Sequence, residues 1–282
     1  MIRALLERPA PEYTIEPSSG RVRFTFLGTA GFVVQSQART FVLDPYLSRP
    51  GLFRTAFGRL PVDRERLRRY IPAADEVLVG HSHHDHALDA PDLCRQTGAR
   101  LLGSVSTAHL ARAAGLDDGQ VVVVRPGEAV VCGAACATAW RSRHGKALLG
   151  RVPLPGEITA PPPWPPRVWH LRHGAVYHWQ LQLEGLSVLH VDSADFLDEE
   201  LVPADVLLLC AVGRQYRKDY TRRLLERVRP KVVIPCHWDD FTLPIEAPPR
   251  QLPGVDVQGF VEEIRAAGAR PVVLAPLQSW WM

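Results

Sequence analysis

The chain has 282 residues, 46% of them hydrophobic and 22% charged, and a formal net charge of +3 at pH 7. That apolar share supports a sizeable core, while so small a charge gives no footprint for nucleic acid, and none is expected as a partner. No apolar run approaches the roughly 18 residues that span a bilayer, so no membrane span is expected.

The first twenty residues read as an irregular arm, without the apolar run and cleavage-like site of a secretory leader. "RVRFTFLGTAGFVVQSQARTFVLDPYL" then gives three β-rich runs, Val22–Leu27, Phe32–Gln35 and Thr40–Leu43, separated by Gly and polar turns. "SRPGLFRTAFGRLPV" reads as a loop with exposed aromatics, and "DRERLRRYI" as a short helix capped by Asp63. "EVLVG" is an apolar run of the buried-strand kind. "LDAPDLCRQTG" and "SVSTAHLARAAG" read as helices stopped by Gly98 and Gly115. "QVVVVRPGEAVVCGAACATAWRSRHG" alternates strand and turn. Residues 150–172, dense in Pro and Trp, exclude a regular helix or a central strand and read as an insertion or lid. Strands resume at "AVYHWQLQLEG", "LSVLHVDSADF" and "ADVLLLCAV". "DYTRRLLERVRP" reads as a helix with Tyr216, Tyr220, Leu224 and Val228 on one stripe and a solvated arginine face opposite. "KVVIPCHWDDF" is a strand running into a loop, "VDVQGFVEEIRAAG" a last helix and "RPVVLAPL" a last strand. No short repeat or clean linker divides residues 1–282, which predicts a single domain.

Five cysteines, Cys94, Cys132, Cys136, Cys210 and Cys236, form no CxxC pair, and their odd number fits a reduced, cytoplasmic protein. Cys132 and Cys136 lack a second pair to complete a metal site and read as small buried hydrophobes.

The chemistry concentrates at His81-Ser82-His83-His84-Asp85-His86, directly after "VLVG". Alternate residues of an extended segment point the same way, so His81 and His83 can converge on one point. If the chain turns after His83, Asp85 and His86 converge on a neighbouring one. Imidazole nitrogen and carboxylate oxygen suit Zn²⁺, and imidazole also suits iron. His84 points away on this reading and takes no ligand role. Three further donors each follow an apolar β-run: His144 after "CATAWRS", Asp192 after "LSVLHV" and His237 after "KVVIPC". Together with the cluster they make a set able to hold two metals.

The motif His81-x-His83-x-Asp85-His86, followed in order by His144, Asp192 and His237, resembles the HxHxDH signature of the metallo-β-lactamase superfamily. The resemblance covers most of the chain. It starts at "FLGTAGFVV" and "FVLDPYLS" and ends at "IPCHWDDF", which looks like the last ligand histidine of lactonase-like and UlaG-like members. It implies an α/β fold, a four-layer αββα sandwich, with metals at one edge. It also implies that His81, His83 and His144 bind a first metal, Asp85, His86 and His237 a second, and Asp192 bridges. The cofactors implied are two divalent metal ions, zinc first, with iron or manganese as alternatives. The family often shows Gly-Asp-Thr at the bridging position. Here the text is "HVDSADF", which leaves Asp195 as a rival and allows a register with Ser193 in the ligand place.

The reading is a hydrolase in which a metal-bound hydroxide attacks an ester, lactone, thioester, amide or phosphodiester bond of a small, partly apolar molecule. Asp85 is the expected catalytic group, orienting the nucleophile or carrying a proton to the leaving group. Asp44 is placed to fix the tautomer of a ligand histidine. Tyr46, Leu52, Phe53 and Phe57 in one segment, Trp164 and Trp169 in another, with His173 and His178, are the expected substrate-pocket residues. His170 is a possible part of the lid, whereas His109 and His190 read as structural. An iron-dependent redox or dioxygenase enzyme of the same superfamily, or a non-catalytic metal-binding module that docks a partner through the Pro/Trp segment, are the alternatives. The sequence fixes no oligomeric state.

Overall fold

A computed structural model describes residues 10–14, 18–147 and 150–282 of the chain. Two seven-stranded sheets carry the fold. The first takes β1 (Arg23–Gly28), β2 (Gly31–Gln35), β3 (Thr40–Leu43), β4 (Glu76–Leu78), β5 (Arg100–Gly103), β6 (Val121–Val123) and the terminal β14 (Ser279–Trp281) in the order β14-β1-β2-β3-β4-β5-β6. The second takes β7 (Ala129–Cys132), β8 (Ala135–Arg141), β9 (Tyr177–Leu183), β10 (Leu186–Val191), β11 (Val206–Cys210), β12 (Val232–Cys236) and β13 (Arg270–Pro271) in the order β13-β12-β11-β10-β9-β8-β7.

Period-two alternation sorts the side chains. Phe24, Phe26, Phe32, Val34, Phe41 and Leu43 of the first sheet face inward and share one core cluster with Trp179, Leu181 and Leu189 of the second. Val33, Val42, Val77 and Leu101 face outward into a second cluster, with Leu67 of α2 (Arg64–Tyr70), Leu93 of α4 (Ala90–Thr97) and Leu110 of α5 (Val105–Ala113). On the far side, Leu224 of α6 (Tyr220–Val228) and Phe260 and Ile264 of α7 (Val257–Ala266) close over the second sheet. The result is the αββα sandwich. Each inward Phe is fully buried, and truncating such a residue costs about 3–5 kcal/mol.

Both sheets are half antiparallel and half parallel, and this places the site. β8 and β10 are each antiparallel to β9, so they run the same way, and β10, β11 and β12 are parallel neighbours. The carboxyl ends of β8, β10 and β12 therefore lie along one edge. In the first sheet β3 and β4 are parallel and end together. Residues just past these five ends can meet, as ligands commonly do beyond the carboxyl ends of strands.

Caps follow the sequence closely. Asp63 accepts from Arg66 N at 3.0 Å, Ser104 accepts from Thr107 N, and Gly98 ends α4 in the left-handed region. Three expectations are corrected, and one strand was not anticipated. Residues 52–57 are not loop but a short helix, α1 (Leu52–Phe57), although its aromatics are exposed as expected. Tyr216 does not continue the stripe of α6, because Asp219 adopts φ 55° and breaks the helix before Tyr220. Only Arg270–Pro271 of "RPVVLAPL" pairs as a strand. Finally, "SWW" pairs with β1 through Trp281 opposite Arg23. The Pro/Trp segment is irregular as expected, with one short 3-10 turn at Val168–His170.

Candidate metal centre

The peptide after β4 explains the convergence of the histidines. Extended backbone at His83 (φ −65°, ψ 158°) leads into a single turn, α3 (His84–Ala87). His81 and His83 thus lie side by side, with Nε2 and Nδ1 3.1 Å apart, and the turn carries Asp85 and His86 to the other flank. His144, in the loop after β8, completes a triangle with ring centroids 4.7 Å from both His81 and His83. His237 follows β12, with Nε2 3.4 Å from Asp85 Oδ2 and its ring centroid 5.3 Å from that of His86. Asp192, directly after β10, lies between the flanks: its Oδ2 is 2.5 Å from His81 Nδ1 and 3.6 Å from His86 Nδ1.

The donor atoms form three overlapping sets, each within 4.8 Å: His81, His83 and His144; His81, His86 and Asp192; Asp85, His86 and His237. The seven residues singled out in the sequence are the members of these sets. Asp195 is not among them. Its carboxylate caps Phe196 N and lies 3.3 Å from Arg217 Nε. Ser193 instead ties two donor loops together, its hydroxyl accepting from Gly145 N at 2.9 Å.

The groups fit a cation. Asp192 Oδ1 is buried and has no hydrogen-bond partner, a state that costs about 1–3 kcal/mol unless something satisfies it. Burial, then mutual repulsion, pushes His81 and His86 well below the usual histidine range, and burial with His144 as neighbour pushes His83 down to about 3. Neutral imidazole is the ligating form. For Asp85 burial acts upward, but the imidazoles of His86, His84 and His237 outweigh it and hold the carboxyl well below its ordinary value.

A supporting layer fixes ring orientations. His86 Nδ1–H donates to Asp44 Oδ2 at 2.9 Å, and Asp44 Oδ1 accepts from Gly80 N at 2.7 Å. His144 Nδ1–H donates to Gly145 O at 2.7 Å, leaving Nε2 for the site. Asp44 and His237 both hold left-handed backbone, φ 40° and 54°, a conformation non-glycine residues adopt mainly where surroundings enforce it. Gly80 is demanded by close approach: a Cβ there would stand 2.3 Å from Asp192 Oδ2.

Some features of this layer carry no distinctive local sequence signal. Asp89 is buried and accepts from Leu47 N and Ser48 N at 2.6 and 2.8 Å, strapping the loop after β3 to the end of the HxHxDH turn. Burial pushes its carboxyl up to about 6. Arg49 and Asp239 form a buried ion pair at 2.7 Å. The text "HALDAPD" shows Asp89 at a helix start, where a cap is the ordinary reading.

A cavity of about 660 Å³ opens over the donors, walled by Leu52, Leu154, Val212, Phe241, Leu252 and Val255 among others. Of the expected pocket residues, Leu52 lines the cavity and the others lie elsewhere. Tyr46 is buried behind the wall with its ring edge-on to His84 at 5.6 Å, and Phe53 projects outward, tilted against Phe57. Trp164 packs on the outer helical layer, and Trp169 is exposed beneath the Arg167 guanidinium. His178 is fully buried in β9 and bonded to Ser142 Oγ at 2.6 Å. His173 backs His83 and His144 from a neighbouring cleft. The Pro/Trp segment reaches the cavity only through Pro153 and Leu154.

This fold with these converging donors defines a metal-dependent hydrolase. The chain belongs to the β-lactamase superfamily: the family model described as "Beta-lactamase superfamily domain" matches residues 23–237. It is 29% identical to the UPF0173 metal-dependent hydrolase of Methanopyrus kandleri over 92% of this chain and 99% of that protein. Among solved structures it resembles Igni18, a metallo hydrolase of Ignicoccus hospitalis, with TM-score 0.61 and 20% identity over 92% of this chain and 97% of the other. It also resembles CmlA, a diiron β-hydroxylase of Streptomyces venezuelae, with TM-score 0.57 and 17% identity over 95% of this chain and 55% of that one. Both structural likenesses concern the fold. No helix of the described residues is long and apolar enough to cross a membrane.

Proposed function

We propose that the protein hydrolyses a small molecule at a pair of divalent metals, zinc by preference, held by His81, His83 and His144 on one side and Asp85, His86 and His237 on the other, with Asp192 between. The observation that carries this reading is the overlap of the three donor sets, with Asp192 grouped with one histidine from each flank. Because donors come from both sheets, residues 1–282 act as one unit.

When bound, the metals supply an acidified water and polarise the bond to be cleaved. The protein supplies the rest. Asp44 and the carbonyl of Gly145 hold His86 and His144 in the tautomer that presents the opposite nitrogen. Asp85, ionised and lining the cavity, is the residue that would orient the attacking water or carry its proton to the leaving atom. The apolar wall excludes bulk water and receives the non-reacting part of the substrate.

Elemental analysis of the purified protein and of Asp192→Ala tests the reading. About two zinc ions per chain, falling to about one in the variant, supports it. Equal content in both removes Asp192 from the ligands. Iron moves an oxygen-dependent reaction to first place, since His and carboxylate donors serve iron equally. No metal refutes the proposal.

A further inference from the structure

We infer that the substrate is a compound with an uncharged apolar chain, such as an ester, thioester, lactone or amide, and not one bearing a carboxylate or phosphate group remote from the reacting bond. This rests on the hydrolase reading above and narrows it.

Two observations carry the inference. The first is charge. Among the described residues, no lysine or arginine lines the cavity over the donors, and the one charged side chain there outside the donor sets is acidic, Asp240. Proteins that recognise phosphate or carboxylate groups on a ligand do so with Arg, Lys or helix N-termini. Here an anionic group remote from the metals would meet Leu52, Val212, Phe241, Leu252 and Val255, and would face Asp240. Asp240 is held in place, its Oδ1 accepting from Thr242 N at 3.1 Å and Thr242 Oγ1 at 2.6 Å.

The second observation is the mouth. Leu52, at the cavity lip, opens α1, which buries none of its side chains. Leu52 is 68% exposed. Exposed apolar groups at a binding site mark a surface for apolar matter, and here Leu52 carries the apolar wall out to the lip. The cavity volume, about 660 Å³, lies within the range of small-molecule sites. A hydrocarbon chain leading from the reacting carbonyl fits both wall and lip.

The reaction is hydrolysis without a further reactant. The water oxygen bonds to the carbonyl carbon and the bond to the leaving oxygen, sulfur or nitrogen breaks. One water proton passes to that leaving atom, and the products are an acid and an alcohol, thiol or amine.

The test uses the metal-loaded full chain and matched chromogenic probes: p-nitrophenyl hexanoate, mono-p-nitrophenyl adipate of equal chain length but carrying a carboxylate, p-nitrophenyl acetate, and bis(p-nitrophenyl) phosphate. The inference expects kcat/KM for hexanoate to exceed that for adipate by at least about tenfold, the order set by one unscreened repulsion plus lost apolar contact. Asp240→Asn, which keeps an amide oxygen for Thr242, should narrow the hexanoate-to-adipate ratio several-fold. Leu52→Glu, at an exposed position, should lower the hexanoate-to-acetate ratio. The adipate ester cleaved as well as hexanoate overturns the inference and leaves the hydrolase reading intact. Metal-loaded protein that cleaves none of the probes and no neutral lactone or amide overturns both.

Discussion

Asp44 Oδ2 lies 2.9 Å from His86 Nδ1, while the other oxygen of the same carboxylate accepts the amide of Gly80 at 2.7 Å. One buried side chain thus fixes both a donor ring and the peptide that leads into the donor cluster. Burial, with Asp192 as a like-charged neighbour, pushes the Asp44 carboxyl well above its ordinary value, so its ionised form depends on the imidazole N–H and on the cationic charge the site is built to hold.

Asp44→Asn should therefore weaken metal retention without unfolding the protein. Asn tolerates the left-handed backbone at this position, φ 40°, but its amide is a weaker acceptor for His86. Loss of such a partner typically costs about 10–100-fold in metal affinity. Chelator competition measures it. Unchanged affinity would assign Asp44 to the backbone alone.

Asp239→Ala should destabilise the fold and loosen the His237 loop together. Arg49 and Asp239 are almost fully buried, and Asp239 also accepts from Thr29 N at 2.6 Å. Thr29 O in turn receives the amide of His237. Removing one partner leaves the guanidinium uncompensated, at a cost of about 3–5 kcal/mol. Denaturant unfolding reads the stability, and metal content reads the loop. Replacing both partners by apolar residues should recover most of the stability but not the metal, because Thr29 stays unanchored. A variant with wild-type stability would show the pair to be incidental.

The donor motif was legible because four of its members are near neighbours in the chain, and His144, Asp192 and His237 because each follows an apolar β-run. Their convergence required the parallel halves of both sheets, which local pattern does not encode. The cavity wall beyond Leu52 was illegible for the same reason. Val212 follows β11, and Phe241, Leu252 and Val255 lie in the irregular stretch between β12 and α7 with no shared period, whereas Trp164 and Trp169 drew notice by size and lie elsewhere. Tyr216 fitted the helical stripe of Tyr220 and Leu224, but the left-handed residue Asp219 separates it from the helix. β14 was hidden because three residues cannot show alternation.

His178 predicts an acid-sensitive step in stability. Ser142 Oγ donates to Asp195 O at 3.2 Å, so the 2.6 Å contact with His178 is a donation from His178 Nε2–H. Its Nδ1 is buried without a partner, and burial pushes the ring's pKa down to about 4. Between that value and the ordinary 6.5 the unfolded chain binds a proton that the folded chain refuses. The contribution to stability is complete above pH 6.5 and is lost as pH falls through the window, with a slope of up to about 1.4 kcal/mol per pH unit. His178→Gln keeps an N–H for Ser142 and removes this titration, so the slope of stability across this window should fall by up to about 1.4 kcal/mol per pH unit. An unchanged slope would place the proton uptake elsewhere.

Gly80→Ala should damage the site more than the fold. The backbone at Gly80 is not in the left-handed region, so alanine meets no conformational penalty. The added Cβ would stand 2.3 Å from Asp192 Oδ2 and 3.2 Å from Tyr177 O. The carboxylate must give way, and with it the group that lies between His81 and His86. Overpacking of this kind costs about 1–3 kcal/mol in stability, which a domain of this size survives. A shift of about 1 Å in a site group costs on the order of 100-fold in rate. Metal content and kcat, measured beside a melting curve, separate the two effects. A folded variant with full metal and full rate would show that Asp192 does not need the position it holds here, and Asp192 would then lose its bridging role.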